Sequence, residues 1–190
     1  MKILLFFLAA AAGPDITRLE ELLTHFTLEA KLQLAENASC LDSDHRQWQR
    51  GVLDACKDDA CRRAAYLERL ATLLPLQRDT TAPRDLDLPA APGLLWAIAP
   101  TSGAKGETPA SKPLQVEGRL GYGCPECGYF LRSDSGRATL LIGDDALRGA
   151  NAEQLALLRE QSRDARLMAR GFAAGQGFDA RHCVFLYLVP

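Results

Sequence analysis

The sequence predicts an α+β chain in which a helical hairpin or three-helix unit is followed by a small β-barrel. Three observations carry this reading. Apolar residues step by three and four through the first third of the chain, prolines crowd the middle, and apolar and polar residues alternate by two after Pro113.

In residues 15–38, Ile16, Leu19, Leu23, Phe26, Ala30 and Leu34 recur at helical spacing, so one face of the segment is apolar along its length. Thr17 followed by Glu20 has the residue types that cap a helix start. A second helical stretch is expected from about Asp42 and Ser43, carrying Trp48 and Val52. A third runs from about Ala60 to Leu74, with Ala64, Leu67, Leu70 and Leu74 on one face.

Prolines at 83, 89, 92, 100, 109 and 113 exclude continuous helix and predict a linker. Within it, residues 94–98 read as one short strand or as an apolar strip packed on a neighbour. Beyond it Leu114, Val116 and Leu120 alternate with Gln115, Glu117 and Arg119, as in a strand with one face buried. Residues 128–133 and 137–143 flank Asp134, Ser135 and Gly136, a hairpin signal. Asn151 with Gln154 opens a short helix bearing Leu155 and Leu158, and strands are expected at 165–171 and 182–189. Three strands, a helix and two strands is the order of an OB-fold barrel. The expected organisation is therefore a signal peptide at 1–12, a helical domain at 13–78, a Pro-rich linker at 79–113 and an OB-like barrel at 114–190, with the boundary near Pro89.

The signal peptide rests on Met1 and Lys2, an apolar run over 3–8 and four alanines before Gly13 and Pro14, with cleavage expected after Ala12. No later stretch approaches the roughly 20 apolar residues a membrane span needs, so the chain is read as periplasmic or secreted and not membrane-spanning. A hydrophobic content of 47% excludes a disordered chain. The formal charge of -2 argues against nucleic acid as a partner. Charge is uneven along the chain: residues 13–88 carry 14 Asp and Glu against 10 Lys and Arg, whereas 89–190 carry 10 against 11.

Six cysteines, Cys40, Cys56, Cys61, Cys124, Cys127 and Cys183, form an even set that in an exported chain reads as a disulfide framework. In an unbroken helix Cys56 and Cys61 would lie about 8 Å apart at Cα, too far to bridge. A turn must form there if they pair, and Asp58 and Asp59 favour both the turn and the cap of the following helix. Each half holds three cysteines, so full pairing needs a bond between the halves. If Cys56 pairs with Cys61 and Cys124 with Cys127, Cys40 is left for Cys183, stapling the last strand to the helical unit. The rival reading of Cys124-Pro125-Glu126-Cys127 is a zinc or thiol site. Only His182 and Cys183 remain to complete it, and adjacent residues on a strand point to opposite faces. No cofactor or metal is expected. No nucleophile-elbow, phosphate-loop or zinc-protease pattern occurs, and Asp144 with Asp145 reads as a turn.

Trp48, then Cys56-Lys57-Asp58-Asp59-Ala60-Cys61-Arg62-Arg63-Ala64-Ala65-Tyr66 and Arg69-Leu70, resembles the N-terminal domain of the LprI-type lysozyme inhibitor family over about residues 40–74. The resemblance implies an exported helical binding module and a lysozyme as protein partner. From the residues alone, Trp48 and Tyr66 are expected in the helical core and Arg69 against an acid or a carbonyl. His25 and His45 read as surface or core residues of the helices. Lys57, Asp58 and Asp59 on the cystine loop are the candidates for touching a partner. Arg119, Arg132, Arg137, Arg166 and Arg170, with Tyr129 and Phe130, read as solvated residues rather than a groove for an anionic strand. The expected function is a non-enzymatic binding or inhibitor protein. The alternatives are a zinc- or thiol-dependent envelope protein and a structural envelope component.

Overall fold

A computed structural model describes residues 14–78, 86–100, 112–122, 129–133, 138–142, 160, 165–174, 177–179 and 181–190. The expected signal peptide, the Cys124–Cys127 motif, Asp134 to Gly136 and the helix expected near 151–158 lie outside these residues.

Helix α1 (Ile16–Leu34) buries Leu19, Leu23, Phe26, Ala30 and Leu34, the face expected from their spacing. Its start departs from expectation. Asp15 holds the N-cap position, without a side-chain cap bond, and Thr17 lies inside the helix. Glu20 is used elsewhere, accepting a hydrogen bond from the Tyr66 hydroxyl at 2.8 Å. The chain leaves α1 at Ala35 with φ 48, the one positive φ at a non-glycine among the described residues. A single 3-10 turn (Ala35–Asn37) leads straight into α2 (Ala38–Trp48), which begins ahead of the expected Asp42. The corner turns Cys40 and Leu41 wholly into the core. Its buried Asn37 accepts a hydrogen bond from the Ala99 backbone N–H at 2.8 Å, anchoring the corner to the first strand. A π turn (Gln49–Leu53) precedes the cystine loop and α3 (Asp59–Leu73).

The strands are β1 (Gly93–Ile98), β2 (Pro113–Tyr122), β3 (Tyr129–Arg132), β4 (Ala138–Ile142), β5 (Leu167–Ala174), β6 (Gly177–Phe178) and β7 (Val184–Leu188). They pair in the order β1-β7-β5-β2-β3-β4-β6, and β6 also pairs with β5. The ladders β2–β3–β4–β6–β5 thus return to β2 and close a five-strand ring, from which β7 and β1 extend. The closing strand is the two-residue β6, too short to show any alternation. At Gly118 β2 passes from its ladder with β5 to its ladder with β3, and a Cβ there would meet the Arg132 carbonyl oxygen at 2.4 Å. Only glycine allows that approach.

Within the segment 79–113, the short strand read at 94–98 forms as β1, all six residues of which are buried. The strand pairs antiparallel with β7 and packs against α2 and α3. Covered on both faces, it reads as a continuous apolar run rather than as an alternation. A Cβ on Gly93 would strike Pro75 at 2.5 Å, so the end of the helical unit rests directly on the backbone of β1. One hydrophobic core accordingly runs from Leu19 and Leu70 through Leu94 and Trp96 to Leu167 and Leu186. A boundary near Pro89 does not divide it.

Cys40 of α2 is bonded to Cys183, just ahead of β7, with Cα atoms 5.7 Å apart, and Cys56 to Cys61 with Cα atoms 5.4 Å apart. The long bridge spans 143 residues of sequence. On the chain-entropy model it restricts the unfolded chain by about 5 kcal/mol and the short one by about 2 kcal/mol. Replacing Cys40 and Cys183 together by Ala is expected to lower the urea midpoint far more than replacing Cys56 and Cys61 together. Equal midpoints would refute the staple.

Asp179, 3% exposed between β6 and β7, accepts hydrogen bonds from the Arg181 Nε at 2.9 Å, Nη2 at 2.7 Å and backbone N–H at 3.0 Å. These bonds hold its carboxyl at about 2, below the ordinary 3.8. A depressed carboxyl contributes stability that is complete above its unfolded value and is lost as pH falls through the folded one. Melting temperature should therefore fall on acidification from 3.8 towards about 2 more steeply in the native chain than in Asp179→Asn. Identical acid limbs would disprove the assignment.

Candidate functional site

Lys57, Asp58 and Asp59 are all exposed on the Cys56–Cys61 loop, but their tasks differ. Asp58 has extended backbone and its Oδ1 accepts the Cys61 N–H at 2.8 Å, so its carboxylate caps α3. Asp59 occupies the first turn of α3, where the helix dipole favours an acid. Lys57 and Asp59 remain as the two charged side chains that the loop presents outward.

Behind the loop, facing ridges of α2 and α3 build an aromatic column. His45 and Trp48 lie three apart on α2, and Tyr66 and Arg69 three apart on α3, so each pair shares a helix face. The His45 and Trp48 ring centres are 5.4 Å apart, those of Trp48 and Tyr66 are 5.9 Å apart, and the Arg69 guanidinium carbon lies 5.7 Å from the Trp48 ring. Burial, and then the hydrogen bond to Glu20, push the Tyr66 hydroxyl up to about 12. Burial, reinforced by Arg69, holds His45 below its ordinary value and so favours the neutral ring. Arg69 is 5% exposed and pairs with an acid, Asp44, whose Oδ2 is 2.7 Å from its Nη1.

Trp48 is half-buried rather than sealed in the core, and it forms a wall of two grooves. The larger, about 540 Å³, runs between α1 and the α2 segment over Leu23, Leu53, His45, Trp48 and Tyr66. Leu28, 57% exposed, stands on its rim. Its Leu53 end adjoins the cystine loop, since the Leu53 carbonyl accepts the Cys56 N–H at 3.1 Å. The smaller groove, about 360 Å³, lies where α2 and α3 meet the sheet and includes Asp44, Trp48, Arg69, Arg170 and Tyr187. Burial first, and the nearby Asp44 charge second, raise the Tyr187 hydroxyl well above its ordinary range.

Several of these residues escaped sequence reasoning. Arg170 is exposed, as read, but its contacts were not foreseen: its guanidinium carbon lies 5.5 Å from the Tyr187 ring centre and its Nε donates to the Gln115 Oε1 at 3.1 Å. Asp44 carried no signal of its own, because its partner sits on another helix. Arg166 faces Glu117 at 3.4 Å, and Arg119 stands opposite Arg132 in the β2–β3 register. Arg137 and the side chains of Tyr129 and Phe130 lie outside the described residues.

Among the described residues no group of three or more His, Cys, Asp or Glu side chains is arranged to hold a metal ion, and no helix is long and apolar enough to cross a membrane. Comparison with family models, with curated proteins and with solved structures finds no match. The likeness of residues 40–74 to the LprI-type family therefore gains no support beyond the residues that suggest it.

The capping role of Asp58 is open to measurement. Asp58→Ala should cost about 1 kcal/mol of stability by freeing the Cys61 N–H, with the short disulfide retained on peptide mapping. A substitution without effect on the urea midpoint would remove Asp58 from that role.

Proposed function

We propose that the chain is an exported binding protein acting by protein–protein contact, with a lysozyme as its partner and inhibition as the outcome. The observation that carries this reading is the exposed loop locked by Cys56–Cys61 and by the Asp58 cap. A loop already held in one shape loses little conformational entropy on entering a partner's cleft. Lys57 and Asp59 are its contacting side chains. The adjoining groove, with exposed Leu28 and half-buried Trp48, supplies apolar contact beside them. An excess of 14 acidic over 10 basic residues in 13–88 favours encounter with a basic partner. Two disulfides suit an oxidising compartment, and the expected signal peptide gives the route there.

Titration calorimetry against a panel of lysozymes, at low and at physiological salt, tests the proposal together with lysis assays. Binding should weaken as salt is added. Lys57→Ala combined with Asp59→Ala should weaken it at least tenfold, a loss of about 1.4 kcal/mol. Asp58 is left intact so that α3 keeps its cap. Absence of heat and of any protection from lysis, at high protein concentration, would reject a lysozyme as the partner.

A further inference from the structure

Arg69, in the lining of the smaller groove, carries a recognition edge with no hydrogen-bond partner. A guanidinium offers two hydrogens in parallel along the edge formed by Nε and one terminal nitrogen, a spacing that matches the two oxygens of a carboxylate. In Arg69 the ion pair with Asp44 is made through Nη1, at 2.7 Å. That contact is an ion pair without hydrogen-bond geometry, and Nε and Nη2, like the Asp44 Oδ2, are buried without a hydrogen-bond partner. A permanent cation 95% removed from water, with two donors unpaired, is costly if nothing else engages it. Across the groove Arg170 brings a second guanidinium, and the rings of Trp48 and Tyr187 provide apolar surface between them.

We propose that this groove binds a small monocarboxylate with an apolar body, its two oxygens held by the Nε and Nη2 edge of Arg69. The body lies between Trp48 and Tyr187, and Arg170 supplies the second positive charge. Asp44 and Glu68 also line the groove, so its four charged groups sum to zero. One negative charge is accommodated there more readily than two, which selects a carboxylate over a phosphate dianion. Both Arg69 nitrogens are covered from solvent, so binding displaces Trp48, the half-buried ring beside them. A volume of about 360 Å³ suits a molecule of the size of an arylalkyl acid or the last residue of a peptide.

Trp48 and Trp96 are the two tryptophans of the chain, and Trp96 is buried in β1, so a ligand-dependent change in emission reports on Trp48, and Arg170, which lines the smaller groove and not the larger, assigns it to this groove. The full exported chain is titrated with phenylpropionate, its neutral isostere phenylpropionamide, phenyl phosphate and N-acetylphenylalanine. Phenylpropionate or N-acetylphenylalanine should change the emission saturably, with the amide and the phosphate at least about tenfold weaker. Stronger binding of N-acetylphenylalanine assigns the site to peptide C-termini, and stronger binding of phenylpropionate assigns it to free acids. Arg69→Lys keeps the charge but removes the fork and should weaken the acid about tenfold or more. Arg170→Gln, at an exposed position, should weaken it while the fold persists, and it decides the matter if Arg69→Lys misfolds. Trp48→Phe should abolish the signal while calorimetry still detects the acid. Equal affinity for acid and amide, unchanged binding in Arg170→Gln, or no saturable response to any probe would overturn the proposal.

Discussion

Burial of β1 is the constraint on which the other elements depend. Six consecutive buried residues, Gly93 to Ile98, must be covered on both faces, and neither the helices nor the barrel strands can do that alone. Strand β7 supplies the edge pairing, and α2, α3 and the turn at Pro75 supply the packing. The Asn37 side chain then ties the corner between α1 and α2 to the backbone that follows β1. The Cys40–Cys183 bridge crosses the same junction, with the Cys40 sulfur 3.5 Å from the Ile98 carbonyl oxygen. Helices and sheet therefore share one core, and loosening either side exposes the apolar run between them.

The junction also accounts for the chemistry gathered beside it. Two guanidiniums stand next to aromatic rings there: Arg69 against Trp48 from the helical side, and Arg170 against Tyr187 from the sheet. A buried ion pair such as Arg69–Asp44 is weak evidence for stability, because removing both charges from water offsets much of their attraction. Its value lies in placement. Asp44 engages Nη1 of the guanidinium and leaves Nε and Nη2 without a hydrogen-bond partner, while Trp48 lines both this groove and the larger one. The cystine loop stands apart from both the core and the ion pair. It is a rigid, exposed turn whose geometry is set by covalent and capping interactions within six residues.

The sequence alone determined what depends on near neighbours. Helical spacing revealed the buried face of α1, the distance across a helix required a turn between Cys56 and Cys61, and alternation located β2. The pairing of Cys40 with Cys183 followed by elimination once the two close pairs were assumed. Tertiary structure decided the rest, since each remaining feature depends on a contact distant along the chain. A strand buried on both faces loses its period of two, so the run at 94–98 could be read as a strand or a packed strip but its coverage could not; β6, at two residues, has no period to show. Glu20 has the residue type of a helix cap but bonds Tyr66, 46 positions away. Asp44, Arg69, Arg170 and Tyr187 meet because burial of β1 brings α2, α3, β5 and β7 together, and no local pattern encodes that meeting.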